Sequence, residues 1–84
     1  MNLSQSDRTA IAEYVYSYQT DVLIKQDALT VIDVLAKHKL IEEPEQWKQQ
    51  INDQHPNVAD KLMVLISNVI PDDTIKSIMK EYYT

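Results

Sequence analysis

Glycine, cysteine and phenylalanine are all absent from this sequence of 84 residues. Glycine forms the phosphate-binding loops of nucleotide-binding proteins, so its absence excludes the P-loop and dinucleotide fingerprints. Its absence also disfavours tight β-hairpins, whose turns need backbone conformations that glycine adopts most readily. Without cysteine the chain has no disulfide framework, no thiol nucleophile and no thiolate metal site.

Long apolar segments are missing as well. No apolar run approaches the roughly 20 residues that a membrane span needs. The first seven residues, from Met1 to Asp7, lack the basic and apolar regions of a signal peptide. We therefore expect a cytoplasmic protein that does not contact a membrane.

The charge balance is acidic, with thirteen Asp/Glu against eight Lys/Arg and a net charge of -5. Apolar residues make up 44% of the chain, which is too much for a disordered protein. The length suits one domain spanning residues 1–84. An acidic surface attracts basic proteins and repels the phosphates of nucleic acids.

The hydrophobic pattern predicts an all-α fold. Apolar residues recur at helical spacing, and Pro44, Pro56 and Pro71 stand where helices begin. The predicted helices cover residues 4–24, 27–38, 44–53, 56–70 and 72–83. Because the segment from Pro56 to Ile70 is apolar nearly all round, we predict a compact bundle of four or five short helices around it.

Several residues have predicted roles at the helix ends. Ser4 or Ser6 is the expected N-cap of the first helix, and Asp27 is the expected N-cap of the second. Val22 continues the apolar stripe of the first helix, so we expect it in the core.

The core and one backbone strain can also be predicted. Leu62, Leu65 and Ile66 lie in the predicted central helix, so truncating any of them should be costly. Helices often end at a left-handed glycine or asparagine, and the second helix has neither at its end. We therefore predict a positive φ at His38 or Lys39.

Metal binding and catalysis are not expected, and neither is a cofactor. His38, His55 and Asp53 lack the spacing of a metal site, which uses i and i+4 on one helix face or a cluster. The acidic pairs at 42–43 and 72–73 point about 100° apart on a helix, so they cannot share a proton. Capping and the helix dipole explain these pairs.

A helix pair from Asp27 to Asp53 leaves DNA association open as an alternative function. Its second helix carries glutamines, which can bond adenine edges. However, Glu45 and Asp53 outweigh its single cation, Lys48. DNA binding draws most of its affinity from a positive surface, so direct nucleic-acid binding is disfavoured.

The candidate partner-binding residues are acidic and aromatic. Glu42, Glu43 and Glu45 precede the only tryptophan, Trp47, on a short helix that contributes little to the core. Carboxylates beside an aromatic residue suit the attraction and binding of a basic protein.

Two tyrosines are further candidates. Tyr16 lies away from the apolar stripe of the first helix, and Tyr83 cannot point inward together with its neighbour Tyr82. Tyrosine is enriched at interaction hot spots. We therefore predict Tyr16 and Tyr83 at a protein-binding surface.

These observations together predict a non-enzymatic protein-interaction module. A basic protein is the expected partner, and stoichiometric inhibition or neutralisation of that protein is the expected role. Immunity proteins, antitoxins and phage inhibitors all fit this description. The alternatives are a DNA-associated regulator and a structural subunit that self-associates as a homo-oligomer through Tyr16 and Tyr83.

Overall fold

Five helices follow one another along the chain in the computed structural model, which describes residues 2–54 and 57–83. They are α1 (Gln5–Gln19), α2 (Lys25–Lys37), α3 (Pro44–Gln54), α4 (Ala59–Val69) and α5 (Asp72–Tyr82). The described residues contain no strand, so the predicted all-α bundle is confirmed. Pro56, the predicted start of the fourth helix, lies outside the described residues, as does His55.

The start of α1 is held by a reciprocal pair of hydrogen bonds. The backbone N–H of Asp7 donates to Ser4 Oγ, and the backbone N–H of Ser4 donates to Asp7 Oδ2, both at 3.1 Å. This capping box satisfies two N–H groups that have no partner inside the helix. The prediction of an N-cap at Ser4 is confirmed.

The centre of the bundle is the antiparallel pair α1 and α2. Ser17 near the end of α1 bonds Asp27 near the start of α2, whereas Asp7 at the start of α1 pairs with Lys37 at the end of α2. α1 also packs against α5 and α4, and α2 packs against α3. The side chains that α1 and α2 bury completely include Ile11, Val31, Ile32 and Leu35.

The predicted central segment lies at the side of this pair, which corrects the expected arrangement. Leu62 and Ile66 of α4 are fully buried, but Leu65 is half-buried and Val64 is 59% exposed. Successive helical residues point about 100° apart, so consecutive apolar residues cannot all face one core. The most extensive helix contacts are those of α1 with α2 and of α2 with α3.

Two tyrosine hydroxyls of α1 hold the start of α4. Tyr14 is buried, and its hydroxyl donates to the Ala59 carbonyl at 2.9 Å. Tyr18 donates to Asp60 Oδ1 at 2.5 Å. A buried hydroxyl needs such a partner, so Tyr14 specifies where α4 packs.

α1 ends earlier than predicted, at Gln19 rather than near residue 24. Asp21 adopts a left-handed φ of 59°, and its N–H donates to the Tyr18 carbonyl. The N–H of Val22 donates to the Ser17 carbonyl, which completes a Schellman ending. Val22 therefore leaves the helical stripe and is exposed, which corrects its predicted place in the core.

The start of α2 also differs from the prediction. Ile24 occupies the N-cap position without a side-chain bond, and Asp27 is not the cap. Asp27 lies in the first turn, where its carboxylate interacts favourably with the positive end of the helix dipole. It accepts a hydrogen bond from Ser17 Oγ at 2.7 Å, which joins α1 to α2.

The end of α2 confirms the predicted strain, because Lys39 has a φ of 57°. Its N–H donates to the Ala36 carbonyl at 3.0 Å, and the N–H of Leu40 donates to the Leu35 carbonyl at 2.9 Å. These two bonds form a Schellman motif. The motif requires a left-handed residue, a conformation that costs little only for glycine.

Lys39→Gly is therefore expected to stabilise the protein by about 0.4–1 kcal/mol, measured by urea unfolding. Gln49→Gly is the matched control, because Gln49 is exposed in the middle of α3. Glycine in a helix interior should cost about 1 kcal/mol. A loss of stability for Lys39→Gly would contradict the assigned cost of its left-handed backbone.

Candidate functional site

Three tyrosine rings meet at the surface where α1 and α5 pack together. The ring centroids of Tyr16, Tyr82 and Tyr83 are 5.7–5.8 Å apart in all three pairs. Tyr16 and Tyr82 are each 39% exposed, and Tyr83 is 59% exposed. The rings are tilted or edge-on, which are favourable aromatic arrangements.

An ion pair holds α5 in the position that brings these rings together. Arg8 Nε of α1 lies 2.9 Å from Glu81 Oε2 of α5. Ile78 of α5 is buried in the core on the adjoining helix face. Tyr82 lies four residues after Ile78, on the same face of α5, so the packing of this face against the bundle brings its ring beside Tyr16.

The turn between α1 and α2 adds two aliphatic side chains to the rings. Val22 and Ile24 are exposed and line a cleft of about 270 Å³ together with Tyr16 and Tyr82. We call Tyr16, Val22, Ile24, Tyr82 and Tyr83 the tyrosine surface. It includes five of the six large hydrophobic residues that are exposed in the described chain. An apolar patch gathered in this way is typical of an interaction site.

The turn that presents Val22 and Ile24 has an unusual backbone. Asp21 and Leu23 both have left-handed φ values, 59° and 50°. Such conformations cost about 1–3 kcal/mol each in residues other than glycine and cluster at binding sites. The hydrogen bonds of Val22 and Leu23 to the Ser17 carbonyl hold the turn in place.

Carboxylates stand beside the rings. Glu13 and Asp27 line the same cleft as Tyr16 and Tyr82. Burial raises the pKa of Tyr82, and the charges of Glu13 and Asp27 raise that pKa further. The Tyr82 hydroxyl therefore stays neutral at physiological pH, and the negative potential of the cleft comes from the carboxylates.

The predicted acidic cluster, Glu42, Glu43 and Glu45, is exposed around the start of α3. Glu43 has a left-handed φ of 54° directly before Pro44, where sterics already restrict the backbone. Because α1 and α2 are antiparallel, the cluster lies at the end of the pair opposite the tyrosine surface. The two sets of candidate residues therefore form separate surfaces.

Trp47 is half-buried and packs against the core. Lys48, the next residue, pairs with Asp33 of α2 and lies 3.9 Å from Glu45. Asp33 and Glu45 raise the pKa of Lys48, although desolvation acts in the opposite direction. Trp47 and Lys48 thus fasten α3 to the bundle, and the role of Trp47 in binding remains a prediction.

The sequence did not indicate the burial or the ion pairing of Asp7, the most buried charged side chain of the described residues. Burial raises the pKa of Asp7, but hydrogen bonds from Lys37, His38 and Ser4 outweigh burial and hold the pKa far below its usual range. Lys37 Nζ lies 2.5 Å from Oδ1, and His38 Nε2 lies 2.8 Å from Oδ2. This network joins the start of α1 to the end of α2.

The described residues do not group three His, Cys, Asp or Glu side chains so that they could hold a metal ion. Asp53 lines a shallow cleft with four glutamines of α3. Among residues 2–54 and 57–83, none of the helices has the length and apolar character for crossing a bilayer.

Comparison with protein families, with curated proteins and with solved structures finds no match to this chain.

Proposed function

We propose that this protein is a non-enzymatic module that binds a basic protein through the tyrosine surface. The observation that carries the proposal is the grouping of exposed tyrosine and aliphatic side chains around a cleft with two carboxylates. A stoichiometric inhibitor or neutraliser of that basic protein is the role that suits a small acidic domain with one such surface.

The composition and stiffness of the surface support a protein as the ligand. Tyrosine supplies a large contact area with few rotatable bonds, so little conformational entropy is lost on binding. The contacts among Tyr16, Tyr82 and Tyr83 restrict the rings before a partner arrives. A surface ordered in advance retains more of its contact energy as affinity.

The charges favour a basic partner over a second copy of this chain. A symmetric dimer through the tyrosine surface would bring the carboxylates of Glu13 and Asp27 into an interface with their own copies. Like charges brought together in this way oppose binding. The same carboxylates and the net charge of -5 oppose the phosphates of DNA.

The acidic cluster contributes to the rate of encounter in this proposal. Glu42, Glu43 and Glu45 are solvent-exposed and lie away from the tyrosine surface, so their effect acts over distance. Charges of this kind raise association rates and make them depend on salt, while adding little to affinity.

The proposal can be tested by replacing Tyr83 with the photo-cross-linking residue p-benzoylphenylalanine in the native host. The same replacement at Gln49, exposed on α3, is the control position. We expect a basic protein to be trapped from position 83 and not from position 49. The trapped protein is then purified, and its binding to the unmodified chain is measured kinetically.

With that purified partner, Tyr16→Ala combined with Tyr83→Ala should speed dissociation by about tenfold or more, as loss of hot-spot residues does. Glu42→Lys combined with Glu43→Lys should slow association and flatten its salt dependence. Val64→Ala, at an exposed position on α4, is the matched control and should change neither rate.

Three outcomes would contradict the proposal. Cross-links only to a second copy, together with a mass in light scattering that rises with concentration, would indicate a self-associating subunit. Salt-sensitive binding to random duplex DNA would favour the DNA-associated alternative. Unchanged dissociation of the tyrosine variant would place the binding site elsewhere.

A further inference from the structure

Two carboxylates line the cleft, those of Glu13 and Asp27. Within the part of the chain that the structure describes, neither Glu13 nor Asp27 forms an ion pair. Other carboxylates near helix contacts, such as Asp7, Asp33 and Glu81, each pair with a cation. Glu13 lies on α1 and Asp27 on α2, so the cleft collects negative charge from two helices.

Two aromatic rings share the cleft with these carboxylates. Tyr16 and Tyr82 line it, with a centroid distance of 5.8 Å and an angle of 51° between the ring planes. The two rings are tilted and not stacked face to face, and each side chain is 39% exposed, so part of each ring is accessible from the cleft. A tyrosine face attracts a cation placed within about 6 Å of it.

We propose that this cleft receives a guanidinium group, the side chain of an arginine that the partner inserts. The inference rests on the proposed function and specifies the chemistry of recognition at the same surface. A guanidinium is planar and can lie against a tyrosine ring while its several N–H groups donate to carboxylates. Glu13 and Asp27 line the same cleft from different helices, and a guanidinium has enough N–H donors to serve two carboxylates.

Size and hydration favour arginine over the other candidate occupants. The cleft volume of about 270 Å³ is large enough for one side chain. The ammonium of lysine is more strongly hydrated than a guanidinium and cannot stack on a ring as a plane. The aliphatic side chains of Val22 and Ile24 line the cleft and can pack along the methylene stem of the arginine.

The test uses three capped tripeptides, glycine–X–glycine, in which X is arginine, lysine or citrulline. Citrulline has nearly the shape of arginine without its charge. Binding to the full chain is followed by NMR, with the amide shifts of Glu13, Tyr16, Asp27 and Tyr82 as the readout. We expect the arginine peptide to bind at least threefold more tightly than the lysine peptide, and the citrulline peptide to cause no shift.

Conservative variants test whether the named side chains carry this preference. Asp27→Asn keeps an oxygen that can accept the hydrogen bond from Ser17, so the turn should remain folded. Glu13→Gln keeps the size of the side chain. Each variant is expected to weaken the binding of the arginine peptide at least threefold. Tyr82→Leu should reduce the preference for the arginine peptide over the lysine peptide. Asp53→Asn, at an exposed carboxylate on α3, should change nothing.

The outcomes separate this inference from the proposed function. Equal binding of the arginine and lysine peptides, or shifts spread over the whole acidic surface, would overturn the arginine cleft even if a partner is trapped from position 83. Arginine-selective shifts confined to the cleft would support it. If those shifts occur but the tyrosine variant releases the trapped partner at an unchanged rate, the proposed function is wrong and the guanidinium site is still supported.

Discussion

Leu62→Ala is expected to lower the free energy of unfolding by about 2–5 kcal/mol. Leu62 is fully buried in the core cluster, on the face of α4 that it shares with Ile66. Truncation removes apolar surface and leaves a cavity that a close-packed interior fills only in part. In a domain of this length the loss is a large fraction of the total stability.

The matched comparison is with the neighbours of Leu62 on the same helix. Val64 is 59% exposed, so Val64→Ala should change stability by less than about 0.5 kcal/mol. Leu65 is half-buried, and Leu65→Ala should fall between the two. Urea unfolding would measure all three losses. They can be compared directly if the free energy of unfolding depends on urea concentration with the same slope in each variant. Equal losses for Leu62→Ala and Val64→Ala would mean that α4 presents a different face to the core.

This series also shows where sequence reasoning reached its limit in the core. The apolar run at 62–66 predicts a central helix in which truncation of Leu62, Leu65 or Ile66 would be equally costly. Which of them faces the core depends on the rotation of α4, and the bond from Tyr14 to Ala59 anchors that helix. Such a contact between residues distant in sequence cannot be deduced from local periodicity.

Backbone strain was easier to predict than packing. Lys39 was one of two residues expected to be left-handed, because the second helix had to end without glycine or asparagine. The same reasoning applies to Asp21, where an equivalent Schellman ending was missed because the apolar stripe continued to Val22. A helix predicted from apolar periodicity is therefore too long when backbone hydrogen bonds alone determine where the helix ends.

The candidate surface was predicted only in fragments. Tyr16 and Tyr83 were singled out because neither could point inward, and the structure places their rings 5.8 Å apart. Tyr82, Val22 and Ile24 were missed, since their exposure follows from how α5 and the α1–α2 turn meet. The contact between Arg8 and Glu81 that aligns α5 joins the two ends of the chain, and no spacing in the sequence indicates it.

Asp7 is the residue for which we expect the second large effect. Asp7→Asn should cost about 2–3 kcal/mol at pH 7, within the range measured for hydrogen bonds to charged groups. The asparagine oxygen can still accept a bond at the helix start, but the charge that attracts Lys37 and His38 is lost. This value is smaller than the cost of breaking a fully buried ion pair, because Lys37 is largely exposed and remains solvated.

The pH dependence distinguishes the charge of Asp7 from its part in the capping box. Because the folded protein lowers the pKa of Asp7, the ionised carboxylate stabilises the fold fully above the ordinary aspartate pKa near 4. That stabilisation is lost as the pH falls below this value, by up to about 1.4 kcal/mol per pH unit. The difference between the parent chain and Asp7→Asn should therefore shrink as the pH falls below about 4.

Urea unfolding of the two proteins at a series of pH values between 7 and about 2.5 would measure this difference across the window in which Asp7 gains a proton in the unfolded chain. Glu42→Gln is the control, since Glu42 is exposed and should give a difference near zero at every pH. A difference that stays constant to the lowest pH would mean that Asp7 stabilises α1 only as a hydrogen-bonding cap. A shrinking difference would show that an ionised carboxylate, held by Lys37 and His38, joins the two central helices.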